Sequence, residues 1–222
     1  MLQALDWLPH SACLWTPLPQ PGLDAALHAD EAALIADVAP RRRAHFAAGR
    51  ACAHAALNAI GRDVDVLLRS VDGAPLWPNG VTGSISHCPD AAVAIAADSA
   101  HWTALGIDVE SDRALPDDAA EYVLSAVERE RLAALPGGLA RWALSAFAAK
   151  ECVHKCVHPL GGAFLEFDEV AIHFSFDTAA DQAARFVVEP LSVKARIALA
   201  GLEWRGELRR QDGLLFSLLA GR

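Results

Sequence analysis

The chain has 222 residues, a length that allows one large domain or two small fused ones with a sizeable core. Its hydrophobic content of 53% is high, but residues 7–23, the longest uncharged stretch, contain four prolines and cannot form a membrane-spanning helix. The formal net charge of −9 argues against a nucleic-acid-binding surface, because such surfaces depend on cationic side chains.

The amino-terminal segment and the cysteines indicate a compartment. No Lys or Arg precedes Arg41, so the basic flank of a secretory signal or transit peptide is missing. The five cysteines are an odd number without the spacing of a disulfide framework. We therefore expect a reduced, cytoplasmic protein that does not associate with membranes.

Hydrophobic periodicity predicts the elements in chain order. The first half is predicted to contain a short helix over 24–38, a longer helix over 42–60 closed by Gly61, and strands over 81–86, 91–97 and 104–109. Pro89-Asp90 is predicted to link the first two strands as a hairpin. The second half is predicted to contain helical segments between 116 and 135, a helix over 139–157 that ends before Pro159, and strands over 164–176, 185–188, 192–199 and 214–219.

Helices followed by strands, in two similar groups, predict an α+β fold of two comparable halves rather than a doubly wound parallel sheet. We place the division between 1–104 and 105–222. Neither a G-x-G-x-x-G pattern nor a G-x-x-x-x-G-K-[ST] pattern is present, so a Rossmann or P-loop nucleotide site is not expected.

Two carboxylates share one face of the predicted strand Gly106-Ile107-Asp108-Val109-Glu110. Because the side-chain period of a strand is two, Asp108 and Glu110 project together while Ile107 and Val109 enter the core. Paired carboxylates with room for water and phosphate oxygens describe a Mg²⁺ site. The alternative is a strand end whose acids face solvent.

Glu151 and Lys155 lie one turn apart on the predicted helix around 139–157. Such a pair is commonly a surface ion pair, but next to a bound metal it would supply a third carboxylate, or a base, beside an ammonium group aimed at phosphate. Cys152, Cys156 and the neighbouring histidines invite a zinc hypothesis. Cys152 and His154 differ by about 200° around the helix, which excludes one zinc bound by the whole set.

The strand Gly83 to His87 ends in a hydroxyl and an imidazole that can hold a phosphate or a ribose. A hydrolytic Ser86–His87 pair is not expected, because adjacent strand residues point to opposite faces. Residues 41–62 contain five arginines and no acid, so this segment can meet a phosphorylated ligand or an acidic protein.

Five motifs in this order resemble those of the 4′-phosphopantetheinyl transferases, specifically the surfactin-synthetase and enterobactin-synthetase types. The motifs lie within 41–165 and are Arg42 with Gly49-Arg50, Gly73-Ala74-Pro75, Gly83 to His87, Gly106 to Glu110, and Phe147 to Lys155. The resemblance implies a fold of two pseudo-symmetric α+β halves with coenzyme A between them. It also implies transfer of phosphopantetheine from coenzyme A to a serine of an apo acyl or peptidyl carrier protein, with release of adenosine 3′,5′-bisphosphate.

The resemblance further implies a catalytic centre in the second half. Asp108, Glu110 and Glu151 would hold Mg²⁺, or Mn²⁺, against the diphosphate of coenzyme A. Lys150 and Lys155 would neutralise the phosphates under attack, and Glu151 would take the proton of the carrier's serine. A metal, cationic side chains and one base are the parts that a phosphoryl-type transfer needs.

The first half would bind the nucleotide end of coenzyme A, according to the same resemblance. Arg42, Arg50, Ser86 and His87 would hold it, including its 3′-phosphate, and Gly73-Ala74-Pro75 would shape a turn near the adenine. The resemblance also implies a monomer.

Three positions depart from the family's pattern. Cys152 replaces a serine after Glu151 and could loosen that carboxylate, Ala74 stands where some members have lysine, and Phe147 replaces a tryptophan. Two alternative functions follow: a non-catalytic protein that binds coenzyme A or a carrier, and a Mg²⁺-dependent phosphohydrolase with the same carboxylates.

Overall fold

A computed structural model describes residues 1–161, 164–176 and 182–222. The described residues form two antiparallel sheets. Strands of the first sheet are β1 (Gln3–Leu5), β2 (Ser11–Pro17), β3 (Val81–His87) and β4 (Ala91–Asp98), in the order β1-β2-β4-β3. Those of the second are β5 (Ala104–Ser111), β6 (Val170–Ser175), β7 (Ala183–Pro190), β8 (Trp204–Gln211) and β9 (Leu214–Gly221), in the order β5-β9-β8-β7-β6. The mixed architecture confirms the predicted α+β class.

Each sheet is covered by one long helix. The α-helices in the described ranges are α1 (Ala29–Ala33), α2 (Pro40–Ala59), α3 (Asp117–Val123), α4 (Ala126–Ala133), α5 (Gly138–Gly161) and α6 (Val193–Ala198). Helix α2 packs its small residues on β4, where Cys52 and Ala53 meet Ala94. Helix α5 packs on β5 and β9. None of the described helices has both the length and the apolar character needed to cross a membrane.

The central core lies between the inner faces of the two sheets. Val93 and Ile95 of β4 pack there with Ile107 and Val109 of β5 and with Phe216 of β9. The alternation predicted for β5 is therefore correct. Its opposite face meets α5 so closely that a Cβ atom on Gly106 would collide with the carbonyl oxygen of Cys152.

Strands β3 and β5 run side by side where the two sheets meet, and we call this junction the seam. The hydroxyl of Ser84 accepts a hydrogen bond from the Ile107 amide at 3.1 Å, and Ser86 Oγ donates to Asp108 Oδ1 at 2.6 Å. Hydrogen bonds from the Ser84 and Ser86 side chains of β3 thus link the two sheets next to Asp108.

Two predicted helix boundaries were wrong. Residues 24–38 form a short 3₁₀-helix (Asp24–Ala26) and α1 instead of one helix, because His28 adopts an extended conformation and its side chain accepts a hydrogen bond from the Asp30 amide. Helix α5 continues through Pro159 to Gly161, since proline's fixed φ suits a helix and only one late hydrogen bond is lost.

The predicted strand over 192–199 is helix α6. Ser192 caps this helix, because its hydroxyl accepts a hydrogen bond from the Ala195 amide at 2.9 Å. Residues 164–176 contain a 3₁₀-helix (Phe167–Glu169) before β6 begins. Strands β1, β2 and β8 were not predicted.

Candidate active site

Asp108 is the centre of the candidate site. Its side chain is almost fully buried, 3% of the residue being exposed, on the face of β5 that meets α5. Its Oδ1 atom accepts hydrogen bonds from Ser86 Oγ and from Lys155 Nζ, both at 2.6 Å. Its Oδ2 atom is buried and has no hydrogen-bond partner in the described part of the chain. A buried carboxylate oxygen without a partner is costly unless a cation approaches it.

Glu110 and Glu151 flank Asp108. Burial, reinforced by the charge of Asp108, raises the pKa of Glu110 to about 8. Burial and then the charge of Asp108 also raise the pKa of Glu151. Lys155 opposes both increases but does not cancel them. Asp108 is therefore close enough to both glutamates to disfavour their ionisation.

The arrangement fits a divalent cation electrostatically, although the ligands are not gathered at one point. Across 1–161, 164–176 and 182–222, no group of three or more His, Cys, Asp and Glu side chains lies within reach of a common metal position. The partnerless Asp108 oxygen and the raised pKa values of Glu110 and Glu151 nevertheless indicate a buried place where negative charge lacks compensation. A divalent ion would satisfy the orphan oxygen and favour ionisation of both glutamates.

Lys155 is the ammonium group of this cluster. Its Nζ atom donates hydrogen bonds to Asp108 at 2.6 Å, to Ser86 at 2.9 Å and to the carbonyl oxygen of Ile107 at 3.0 Å. Burial by itself lowers the pKa of Lys155, but the charge of Asp108, its hydrogen bond and the other acidic groups nearby together outweigh burial, so the net pKa is raised. Lys155 therefore remains charged while a quarter of its side chain faces solvent.

A basic corner lies beside these carboxylates. His87 ends β3, and its pKa is lowered by partial burial and by the nearby His45, Lys155 and Arg42. The rings of His45 and His87 are 4.9 Å apart between centroids. Sequence reasoning missed His45. Its position one turn after Arg42 on α2 was the available signal.

Arg50 lies deeper than predicted, in a buried cluster behind this corner. Its Nη2 atom donates to the Leu68 carbonyl oxygen at 3.4 Å, and its Nε atom is 3.7 Å from Glu31 Oε1. The guanidinium carbon lies 4.6 Å from the centroid of the Phe46 ring. Burial lowers the pKa of Arg50 to about 10. In this structure Arg50 fixes the loop that leads to the Gly73 turn.

The turn Gly73-Ala74-Pro75 borders a cleft between the two halves. Gly73 has a φ of +92°, which glycine adopts without strain. Ala74 and Pro75 line the cleft, which has a volume of about 870 Å³ and reaches Lys155. Next to the turn, Asp72 Oδ2 lies 3.1 Å from His158 Nε2 of α5. The turn therefore faces the helix that carries Glu151 and Lys155.

Lys150 does not reach this site, which corrects the role expected for it. Its side chain is fully buried, and its Nζ atom donates to Glu128 and to the Val123 carbonyl oxygen at 3.0 Å, and to the Phe167 carbonyl oxygen at 2.7 Å. With its donors used inside the protein, Lys150 holds α4 and the Phe167 segment against α5.

The cysteines of α5 are structural. Cys152 Sγ donates to the Ser217 carbonyl oxygen at 3.2 Å and Cys156 Sγ to that of Leu219 at 3.3 Å, both on β9. Burial raises the pKa of both thiols, which disfavours the thiolate that zinc requires. Cys152 thus points to β9, so its replacement of a serine does not by itself free the Glu151 carboxylate.

Comparison with known proteins identifies the family. Residues 30–97 match the 4′-phosphopantetheinyl transferase N-terminal domain, and residues 104–203 match the 4′-phosphopantetheinyl transferase superfamily. The chain is 39% identical over 199 residues to the 4′-phosphopantetheinyl transferase Svp of Streptomyces mobaraensis, with 87% of this chain and 78% of that protein covered. It belongs to the 4′-phosphopantetheinyl transferase family.

Two further relatives agree with this family. The 4′-phosphopantetheinyl transferase Npt of Nocardia iowensis is 32% identical over 201 residues, with 89% of this chain and 90% of that protein covered. The 4′-phosphopantetheinyl transferase PptT of Mycobacterium tuberculosis is 31% identical over 163 residues, with 73% and 67% covered. The chain is thus a transferase that places phosphopantetheine on carrier proteins, and the non-catalytic alternative is set aside.

Proposed function

We propose that this transferase moves 4′-phosphopantetheine from coenzyme A to the serine hydroxyl of an apo acyl or peptidyl carrier protein, with Asp108, Glu110 and Glu151 holding Mg²⁺, or Mn²⁺ in its place. The single observation that carries this proposal is Asp108: one oxygen is bound by Lys155 and Ser86, and the other is buried without a partner. The bound ion would neutralise the diphosphate of coenzyme A and its leaving group.

In this proposal Lys155 stabilises the charge of the reacting phosphate and Glu151 acts as the base. The serine oxygen forms a bond to the β-phosphorus of coenzyme A, and the bond from that phosphorus to the bridging oxygen breaks to release adenosine 3′,5′-bisphosphate. Lys155, held by Asp108, keeps its positive charge and stabilises the charge that develops on the phosphate oxygens. Glu151 accepts the serine proton, a role supported by its position on α5 one turn before Lys155.

The first half binds the nucleotide end of coenzyme A in this proposal. Arg42 and His87 belong to the basic corner, and Ser86 lies at the seam beside Lys155. The turn Gly73-Ala74-Pro75 supplies a wall of the cleft. Arg50, being buried, acts on the nucleotide through the loop that it anchors.

The metal ligands and the nucleotide-binding residues of this proposal all come from one chain, so a monomer would hold every part that the reaction needs. All five cysteines are free and buried, in keeping with a reducing cytoplasmic environment. The two halves, 1–104 and 105–222, would divide the work between nucleotide binding and metal-dependent transfer.

The test is attachment of a fluorescent coenzyme A analogue to a panel of apo carrier proteins, with Mg²⁺ or with EDTA. We expect Mg²⁺-dependent labelling that Asp108→Ala abolishes while circular dichroism shows an intact fold. Asp98→Asn is the matched control, because Asp98 lies at the opposite end of β4 from the site and its side chain is 44% exposed. Labelling that persists in EDTA, or in Asp108→Ala, would contradict the proposal. Release of phosphopantetheine to water without a carrier would favour the phosphohydrolase.

A further inference from the structure

His45 lies in the basic corner but has no part in the mechanism so far. It is on α2, one turn after Arg42, and its ring faces that of His87 at 4.9 Å between centroids with a tilt of 48°. Ile85 also points towards α2, since a Cβ atom on Gly49 would touch it. Because strand side chains alternate, His87 shares this α2 face while Ser86 faces β5.

The charges around the two imidazoles make this corner suitable for an anion. Arg41 and Arg42 act on His45 from its own helix. His87 faces His45 and Arg42 on α2 and Lys155 on α5. Burial and these cations lower the pKa of both histidines, so both rings are mainly neutral at pH 7. An arriving anion would reverse that balance and draw protons onto the rings.

Coenzyme A carries two anionic centres, a diphosphate and a 3′-phosphate. In the proposed function the diphosphate lies at Asp108, on the β5 side of β3. The α2 side of the end of β3 is then available to bind the 3′-phosphate. A phosphomonoester is nearly a dianion at pH 7, and it pairs well with a guanidinium and with protonated imidazoles.

We propose that His45, together with Arg42 and His87, binds the 3′-phosphate of coenzyme A, and that His45 helps the enzyme to distinguish coenzyme A from 3′-dephospho-coenzyme A. This inference rests on the proposed function and adds a residue that neither the motifs nor the carboxylate cluster singled out. Binding raises the pKa of His45 above its lowered value in the free protein, so His45 takes up a proton between the two values. Affinity then falls as the pH rises through the higher, ligand-bound value.

The first experiment compares His45→Gln with the wild type on two substrates, coenzyme A and 3′-dephospho-coenzyme A. Loss of one charge-assisted hydrogen bond should raise the KM for coenzyme A about 10-fold, and kcat should stay the same. The KM for 3′-dephospho-coenzyme A should change less than about 2-fold. His101→Gln is the matched control, since His101 is an exposed histidine stacked on His10 outside the site.

An equal change in KM for both substrates, or no change for either, would overturn the assignment of His45 to the 3′-phosphate. That result leaves the transferase itself intact, because the wild type would still modify its carrier. Failure of the wild type to transfer from either substrate would instead remove the proposed function.

The second experiment measures protons directly by calorimetric titration of adenosine 3′,5′-bisphosphate at a pH of about 6.5, near the ordinary pKa of histidine, in two buffers with different ionisation enthalpies. We expect the wild type to take up protons on binding and His45→Gln to take up fewer. Binding without proton uptake in the wild type, or equal uptake in both proteins, would refute the proposal.

Discussion

Lys150 and Lys155 are five residues apart on α5 but have different roles: Lys150 forms a buried ion pair with Glu128, whereas Lys155 binds Asp108 in the candidate active site. The side chain of Lys150 is fully buried and that of its partner Glu128 is 3% exposed, with 3.0 Å between Nζ and a carboxylate oxygen. Lys150→Met keeps the volume but leaves the Glu128 carboxylate buried without a counter-charge. Breaking such a pair from one side costs about 3–5 kcal/mol, which corresponds to a fall in Tm of about 6–20 °C at about 2–4 °C per kcal/mol for a chain of this size.

Denaturant unfolding and transfer assays at a temperature below unfolding would test this prediction. Lys150→Met should unfold at much lower denaturant while its transfer rate stays within a few-fold of the wild type. The double variant Lys150→Met/Glu128→Leu should regain stability, because an apolar pair can replace a buried ion pair. Lys194→Met is the matched control: that side chain is half exposed, so its loss should cost at most about 1 kcal/mol. A Lys150→Met protein with normal stability and no transfer would refute this prediction and would support a role for Lys150 in neutralising the phosphates of coenzyme A.

Two further predictions concern β5. The pKa of Glu110, raised from 4.5 to about 8 by burial and by Asp108, means that the folded protein holds this proton more tightly than the unfolded chain. In EDTA its stabilising contribution should be complete below pH 4.5 and be lost as the pH rises to about 8. Unfolding free energies measured across this range should lose that part of their slope in Glu110→Gln, and an unchanged slope would contradict the assignment. Gly106→Ala should cost about 1–3 kcal/mol or more and should lower transfer, because its Cβ atom would push against the Cys152 carbonyl group of α5. Gly161→Ala, where the added atom meets open space, should be neutral or stabilising, and equal effects of the two substitutions in thermal unfolding would count against this explanation.

Elements with a clear period were predicted well. The Ala-rich helix α2 and the strands β3, β4 and β5 lie close to their predicted positions, because each buries one or two faces against neighbouring elements. Gly61, which was expected to close α2, indeed has a φ of +73°.

Elements whose structure depends on distant packing were not predicted. Strand β8 (Trp204–Gln211) contains three arginines and has no clear strand pattern of its own. It is a strand because it pairs with β9. Helix α6 was mistaken for a strand because its apolar residues alternate, whereas the cap at Ser192 decides the outcome. The local sequence does not show whether the helix cap at Ser192 or the strand-like alternation of apolar residues determines the structure.

The position of a site residue could be predicted where the sequence pattern shows which face of a strand it lies on. It could not be predicted where tertiary packing decides which face of a helix meets the cleft. The alternation of β5 placed Asp108 correctly relative to the core. Lys150 lies about 140° around the helix from Lys155, and this angle alone separates the two, but the sequence does not say which face meets the cleft. His45 required knowing that α2 passes β3 at His87.

The proposed chemistry depends on a divalent ion bound at Asp108, and Mn²⁺ titration followed by electron paramagnetic resonance in the presence of coenzyme A measures that binding. We expect one tightly bound Mn²⁺ per chain in the wild type and in Asp98→Asn, and loss of that ion in Asp108→Asn, with circular dichroism showing that all three proteins are folded. Equal Mn²⁺ binding by the wild type and Asp108→Asn would contradict it.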